Sequence, residues 1–354
     1  MAYSLVVDLS IDREPRGSKI ARRVKTIPAL LVGLVLVTAL LPLLLVGALV
    51  VDLFRAVTQH KPWMALRLVA FLWIFLLTDT AALLALFALW LVSGFGRNAK
   101  LMVGATWHLQ QLWVRVLFGS VKLLFGLKLI DEGAECLKPG PVIVLIRHAS
   151  IVDNFLPSVL VAARERVRLR YVIKRELLSE PCLDVAGQRL PNYFVRRDSG
   201  EQVERDRIRD LATGMGPEDG FLLYPEGTRF TAERRQRALD KIAERDPQRA
   251  ARLDSIEYLL PPKVGGLLAT LDGAPQTDVV LMVHQGFDGL RLISDIWGGA
   301  LVGRTVNVRF TRIAHDQIPA TREQQVEWLD SLWLEADRWV AEKTDQAAAR
   351  TLEG

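Results

Sequence analysis

Two long apolar stretches dominate the first hundred positions. From Ile27 to Val51 no charged residue occurs, and from Leu68 to Gly96 the single charge is Asp79. About 20 apolar residues suffice to cross the hydrocarbon core of a bilayer, whereas a signal-peptide core is about 7–15 residues long. The pattern predicts a basic segment over 1–26 and two transmembrane or membrane-embedded helices over 27–96. Pro28 and Pro42 are compatible with such helices, because neighbours satisfy freed backbone groups. Arg13, Arg16, Lys19, Arg22, Arg23 and Lys25 precede the first helix, while the connecting loop offers only Arg55, Lys61 and Arg67. Basic residues gather on the cytoplasmic side, so the N-terminus and everything after the hairpin are expected there. Asp79 is either a functional intramembrane group or, more commonly, a protonated or threonine-bonded residue turned toward a partner helix.

Over 101–126, Trp107, Leu109, Leu112, Trp113, Val116 and Leu117 recur at helical spacing beside His108, Arg115 and Lys122. This predicts an amphipathic helix over 97–126, suited to the membrane–water interface or to a domain core. The texture then changes. Val142–Ile146, Phe221–Tyr224 and Val279–Val283 are continuous apolar runs of strand length, with a fourth strand expected at Val306–Phe310, and Arg-rich helical stretches such as 232–257 lie between them. Runs that are apolar at every position suit central strands covered on both faces. An α/β domain with a central mixed sheet is therefore expected over 127–345, and a tail over 346–354. Trp328, Leu332 and Trp339 mark a terminal helix that docks onto this domain.

Composition refines this only slightly. The chain has 354 residues, 50% of them hydrophobic, and a formal charge of +5. These averages are ordinary for a soluble protein and conceal the hairpin. Cys136 and Cys182 are the two cysteines, too few for a disulfide framework or a cysteine-rich zinc site. The excess of arginine over lysine fits a GC-rich bacterial genome and hence a bacterial inner membrane. A nucleophile elbow, a P-loop, an HExxH pair, a CxxC pair and a complete GxGxxG fingerprint are all missing, which weakens hydrolase, nucleotidase, metalloprotease and Rossmann readings.

What remains is His148, placed directly after an apolar strand and five positions before Asp153. A carboxylate fixes an imidazole's tautomer and stabilises the imidazolium formed when it takes a proton. Five steps along a helix turn about 500°, so the two meet only across a strand-to-helix turn. Tyr224-Pro225-Glu226-Gly227-Thr228-Arg229 follows a second strand: proline ends it, glycine permits close approach, and arginine grips phosphate. An ordinary turn closed by a Glu–Arg pair explains it equally well. Phe194-Val195-Arg196-Arg197 and Pro261-Pro262-Lys263-Val264-Gly265 each put cations at the end of an apolar or rigid element.

These four motifs, HASIVD, FVRR, YPEGTR and PPKVG, resemble in order and spacing those of the glycerolipid acyltransferases, in particular the 1-acyl-glycerol-3-phosphate (lysophosphatidic acid) acyltransferases near the eukaryotic lysophosphatidic and lysocardiolipin branch. The resemblance covers roughly 107–342. It implies acyl transfer from acyl-CoA or acyl carrier protein to a lysophospholipid hydroxyl, with His148 as general base and Asp153 orienting it. It further implies that Arg197 binds the acceptor's phosphate and that Glu226, Gly227, Thr228, Arg229 and Lys263 line the acceptor site. No metal or tightly bound cofactor is expected, and no nucleic acid partner; the partners are the two substrates and the bilayer. Three departures stand out. Arg147 replaces an asparagine common before the histidine, and either contacts phosphate or faces solvent. Pro191 replaces a glycine, and His284 follows a strand where a valine–proline pattern is usual. Phosphatidic acid synthesis is the expected reaction; remodelling of another lysolipid such as lysocardiolipin or lysophosphatidylglycerol, and a catalytically silent lipid-binding role, are the alternatives.

Overall fold

The computed structural model describes residues 14–150, 152–195, 200–290 and 293–353. Among them seven strands form one sheet: β1 (Lys128–Glu132), β2 (Val142–Ile146), β3 (Arg168–Lys174), β4 (Tyr193–Val195), β5 (Asp219–Leu223), β6 (Asp278–Gln285) and β7 (Thr305–Ile313). Their spatial order is β1-β7-β6-β2-β5-β3-β4. β6, β2, β5, β3 and β4 run parallel, while β7 is antiparallel to β6 and carries β1 parallel to itself. The sheet is mixed, as expected from the sequence.

The unbroken apolar run of β2 has a direct cause. Val142, Val144 and Ile146 join one core on one face, and Ile143 and Leu145 join a second core on the other. Successive side chains of a strand alternate sides, so a central strand covered on both faces has no polar position left. The first core is closed by a helix, α4 (Ala99–Phe125), through Phe118, Val121 and Phe125, and by a π-helix at Pro157–Arg164. The second is closed by helices later in the chain, whose ranges follow.

Three further helices precede α4: α1 (Arg16–Ala39), α2 (Leu41–Gln59) and α3 (Ala65–Val92). The stretch 27–51, expected to be one helix, is thus split at Leu40. Pro42 has no N–H to give to Thr38, and its ring disfavours helical geometry at the residue before it. Pro28, by contrast, sits inside α1 without ending it. The apolar hairpin is formed by α2 and α3, both long and apolar enough to cross a membrane. Leu43, Val57 and Val92 on these helices are about 70% exposed or more (69%, 75% and 76%).

The hairpin does not project away from the sheet. Asp52 accepts hydrogen bonds from the amides of Met64, Ala65 and Leu66, closing the α2–α3 turn. Met64 is fully buried in the first core with Phe118, Phe287 and Leu301, and Arg55 stacks on Trp297 while donating to its carbonyl at 2.6 Å. At the far end of α3, Ala82 and Leu86 pack on Cys182 and Ala186 of α5 (Pro181–Gly187), and Arg189 donates to the Leu86 carbonyl. Both ends of a helix about 42 Å long therefore rest on the sheet unit. Two of the basic residues before the hairpin, Arg22 and Arg23, grip the buried Asp184 of α5 instead of facing outward. Asp79 is buried and faces α4, where Trp113 donates to it at 2.7 Å; neither neighbouring threonine is its partner.

α4 proves to be two-sided. Opposite its core residues it exposes Leu112, Val116 and Leu123, the last by 83%. The remaining helices are α6 (Glu201–Ala212), α7 (Ala232–Ala243), α8 (Pro247–Leu253), α9 (Val264–Gly273), α10 (Ile293–Trp297) and α11 (Arg322–Glu353). The segment 232–257 is two helices, because Pro247 opens a new one. In α11 the deepest side chains are Leu329, Trp333, Ala336 and Val340, with Trp339 alongside; Trp328 and Leu332 lie on the flank of that stripe.

Candidate active site

The parallel strands β2, β5 and β6 end at the same edge of the sheet, and the residues that follow them meet there. Crevices beyond the carboxyl ends of parallel strands are where α/β sheets hold ligands, since loops diverge there. His148 lies two residues past β2. Its Nδ1 is 3.1 Å from Oδ1 of Asp153 and 3.3 Å from Oδ2. The turn that brings them together is built by the same carboxylate: Oδ2 accepts the amides of Ala149 and Ser150, each at 2.7 Å. Asp153 is fully buried, whereas the His148 side chain is 14% exposed. Burial opposes the charge on Asp153, but His148 and His284 outweigh it and hold the carboxyl well below the usual carboxylate range. An ionised Asp153 fixes the proton on Nδ1, leaving Nε2 of His148 unprotonated and without a protein partner among the described residues. The Tyr224 ring packs against the imidazole with centroids 4.8 Å apart.

Glu226 has a different situation from a ligand-facing carboxylate. It is 2% exposed, and its two oxygens are spent on backbone amides: Oε1 accepts from His148 N at 2.7 Å, Oε2 from Leu260 N at 3.0 Å. It is a strut tying the loop after β2 to the loop after β5 and to the segment before α9. Burial pushes its pKa up to about 8, against the pull of those two amides and of Arg147. Glu226, expected to line the acceptor site, is buried with both oxygens on backbone amides.

Gly227, Thr228, Arg229 and Lys263 form the open side. Gly227 adopts φ +65, where a side chain would be strained, and the Lys263 ammonium lies so close that a Cβ on Gly227 would sit 2.9 Å from Nζ. Lys263 is exposed, and its amide donates to the Pro225 carbonyl at 2.8 Å. Thr228 and Arg229 are half-buried. The chain then returns to the floor, where Phe230 N donates to the His148 carbonyl at 3.1 Å. The structure thus gathers His148, Asp153, Glu226, Gly227, Thr228, Arg229 and Lys263 around one strand edge. Arg197 lies outside the described residues, as does Ile151 of the first motif.

Arg147 does not face solvent. It is 1% exposed and donates to the carbonyls of His284 at 2.7 Å and Tyr258 at 2.9 Å, and it pairs with Asp288. Ser150 is also buried, its hydroxyl donating to the Leu290 carbonyl at 2.9 Å. His284, Asp288 and Leu260 are parts of this neighbourhood that sequence patterns did not assign. The one available signal was that His284, like His148, stands at the end of an apolar strand.

Residues 128–270 match the family model described as Acyltransferase. No curated protein sequence matches the chain. Among solved structures the chain is similar to the 1-acyl-sn-glycerophosphate (LPA) acyltransferase PlsC from Thermotoga maritima, at 15% identity and a TM-score of 0.46, over 78% of this chain and 98% of that one. The family match runs from β1 into α9 and includes His148, Asp153, the Glu226–Arg229 turn and Lys263.

Proposed function

We propose that the protein is a membrane-bound enzyme that moves a fatty acyl group from an acyl thioester, of CoA or of an acyl carrier protein, to the sn-2 hydroxyl of 1-acyl-glycerol-3-phosphate, giving phosphatidic acid. The observation that carries this reading is the His148–Asp153 contact with Nε2 left free beside a cationic rim. Nε2 takes the proton of the acceptor hydroxyl as its oxygen attacks the thioester carbonyl carbon. The tetrahedral adduct collapses, the C–S bond breaks, and the leaving thiolate recovers the proton from Nε2. Asp153 supports the imidazolium between these two transfers. The Ser150 hydroxyl is committed to the Leu290 carbonyl, which favours direct attack over an acyl-enzyme. Lys263, with Arg229 and Arg197, supplies positive charge for the acceptor's phosphate.

The helical layer fits a lipid substrate. The exposed apolar face of α2, α3 and α4 needs hydrocarbon around it, and both ends of α3 rest on the sheet unit. In this reading the layer enters one leaflet and returns on the same side, instead of carrying the hairpin tip across. The site then opens at the depth of a lysolipid headgroup.

The test is an assay of the purified full-length chain with labelled acyl-CoA, a panel of lysolipids and His148→Ala. Transfer to lysophosphatidic acid by wild type alone is expected. Equal acylation by the variant sinks the mechanism, and preference for an acceptor without a phosphomonoester makes this a remodelling enzyme.

A further inference from the structure

Behind the His148–Asp153 pair lies a second histidine. His284, at the end of β6, is fully buried; its Nε2 is 3.1 Å from the Arg147 carbonyl oxygen and 3.6 Å from Oδ2 of Asp153. Both neighbours are acceptors, so Nε2 carries the proton. Nδ1 is buried with no partner, so a second proton there has nothing to bond. The contact is reciprocal: Arg147 Nη1 donates to the His284 carbonyl at 2.7 Å. Each of the two residues thus holds the other's backbone, and Arg147 is the residue directly before His148. Asp288, which is 31% exposed on its side chain, balances the buried guanidinium, and its own carboxylate accepts the Gly286 amide at 3.2 Å.

We propose that His284, together with the Arg147–Asp288 pair, is a positioning cluster that sets how firmly Asp153 holds a proton on His148, and so keeps the imidazole available as a base. The roles follow from charge. An N–H at 3.6 Å is too long for an ordinary hydrogen bond, but in a buried site its dipole still acts on Oδ2. It draws charge away from His148, which makes the imidazolium less favoured. Arg147 acts in the same direction, and Asp288 offsets it. The other titratable groups against this cluster are Glu226, whose oxygens accept the amides of His148 and Leu260, and Tyr224, whose ring packs on the imidazole with centroids 4.8 Å apart; Lys263 lies on the open side.

The proposal rests on the acyltransferase reading only for its kinetic arm. The first measurement needs no substrate: the ring of His148 is titrated by NMR in the full-length, detergent-solubilised protein, its signal assigned by its loss in His148→Ala. His284→Phe keeps the ring volume and removes the N–H; it raises the His148 midpoint by about half a unit or more. His284→Gln restores an amide donor and returns the midpoint toward wild type. Asp288→Asn leaves Arg147 less balanced and moves the midpoint the other way, downward. The acid limb of kcat/KM follows each shift, with KM for acyl-CoA within about twofold of wild type.

A role limited to packing lowers the melting temperature and moves no midpoint. Unchanged midpoints, or shifts of the same sign in His284→Phe and Asp288→Asn, overturn the proposal. If His284→Phe does not fold, Asp288→Asn at the partly exposed position decides alone: a lowered midpoint supports the cluster and an unmoved one ends it. Absence of thioester turnover in wild type defeats the acyltransferase reading and leaves the titration standing.

Discussion

His148 and Lys263 lie at the same strand edge, yet they are held in opposite ways. Beneath His148, Asp153 is fully buried and takes two backbone amides as well as the imidazole, and Glu226 spends both oxygens on amides. Around Lys263, the cation is exposed and rests over a glycine. The floor has lost its freedom in advance, which suits a group that must act in a single geometry. The rim keeps its freedom, which suits recognition of a mobile headgroup. Substitutions in the floor are therefore expected to strike the rate of reaction and the fold, and those in the rim to strike acceptor affinity.

The largest effect belongs to Asp153→Asn. The amide cannot stabilise an imidazolium and offers its NH2 group to backbone donors. kcat is expected to fall by about 10³–10⁴-fold. KM for acyl-CoA should change little, a split that steady-state kinetics reads directly. Asp153 is held ionised far below neutral pH, so the acid limb of the wild-type profile belongs to another group. A modest loss of activity here would mean that the floor is structural only.

Glu226→Gln is next, and its signature is a stability that depends less on pH. Burial raises the folded carboxyl from 4.5 to about 8. Between those values the folded state binds more protons than the unfolded chain. Its contribution is complete below about pH 4.5 and is lost as pH rises toward 8. The variant has no such titration. The ratio of wild-type to variant stability, measured by denaturant unfolding in detergent, should decline from pH 5 to pH 8. A ratio constant over that range would show that Glu226 does not titrate in the folded state.

The floor was more legible in the sequence than what surrounds it. His148 and Asp153 are a local pair, and the only chain geometry that joins them is the turn that the strand run predicts. Likewise β2, β5 and β6 announce themselves because central strands are apolar at nearly every position, and β7 by its alternation, with Asn307 and Arg309 between Val306, Val308 and Phe310. β1, β3 and β4 do not: β3 carries Arg168, Arg170 and Lys174, and β4 has only three residues. Arg170 is tolerated in the sheet because Leu211, Thr213 and Gly214 carbonyls and Asp219 surround its guanidinium, partners more than forty residues away. His284 was hidden for the same reason, since its partner Arg147, just after β2, is 137 positions distant. The break at Leu40 was a matter of local chemistry, with Pro42 present in the sequence but read as tolerable.

On the rim, Lys263→Ala should raise KM for a phosphomonoester acceptor by about three- to tenfold. An exposed cation on phosphate contributes less than a buried pair, because water and salt screen it. kcat with saturating acceptor should stay within about twofold, and the effect should shrink as ionic strength rises. A fall in kcat equal to that in kcat/KM would place Lys263 with the floor.

Gly227→Ala is the smallest and the most discriminating. At φ +65 an alanine is strained by about 1–2 kcal/mol, and its Cβ meets the Lys263 ammonium at 2.9 Å. That ammonium is the end of a flexible chain and can move aside, so the fold survives and the His148–Asp153 distance is untouched. What changes is where the cation rests. Acceptor KM should rise about as far as in Lys263→Ala or slightly less, and adding Gly227→Ala to Lys263→Ala should cost little more, because the ammonium to be displaced is already gone. Full additivity of the two would show that Gly227 acts through its own contact with the acceptor, with Lys263 merely nearby.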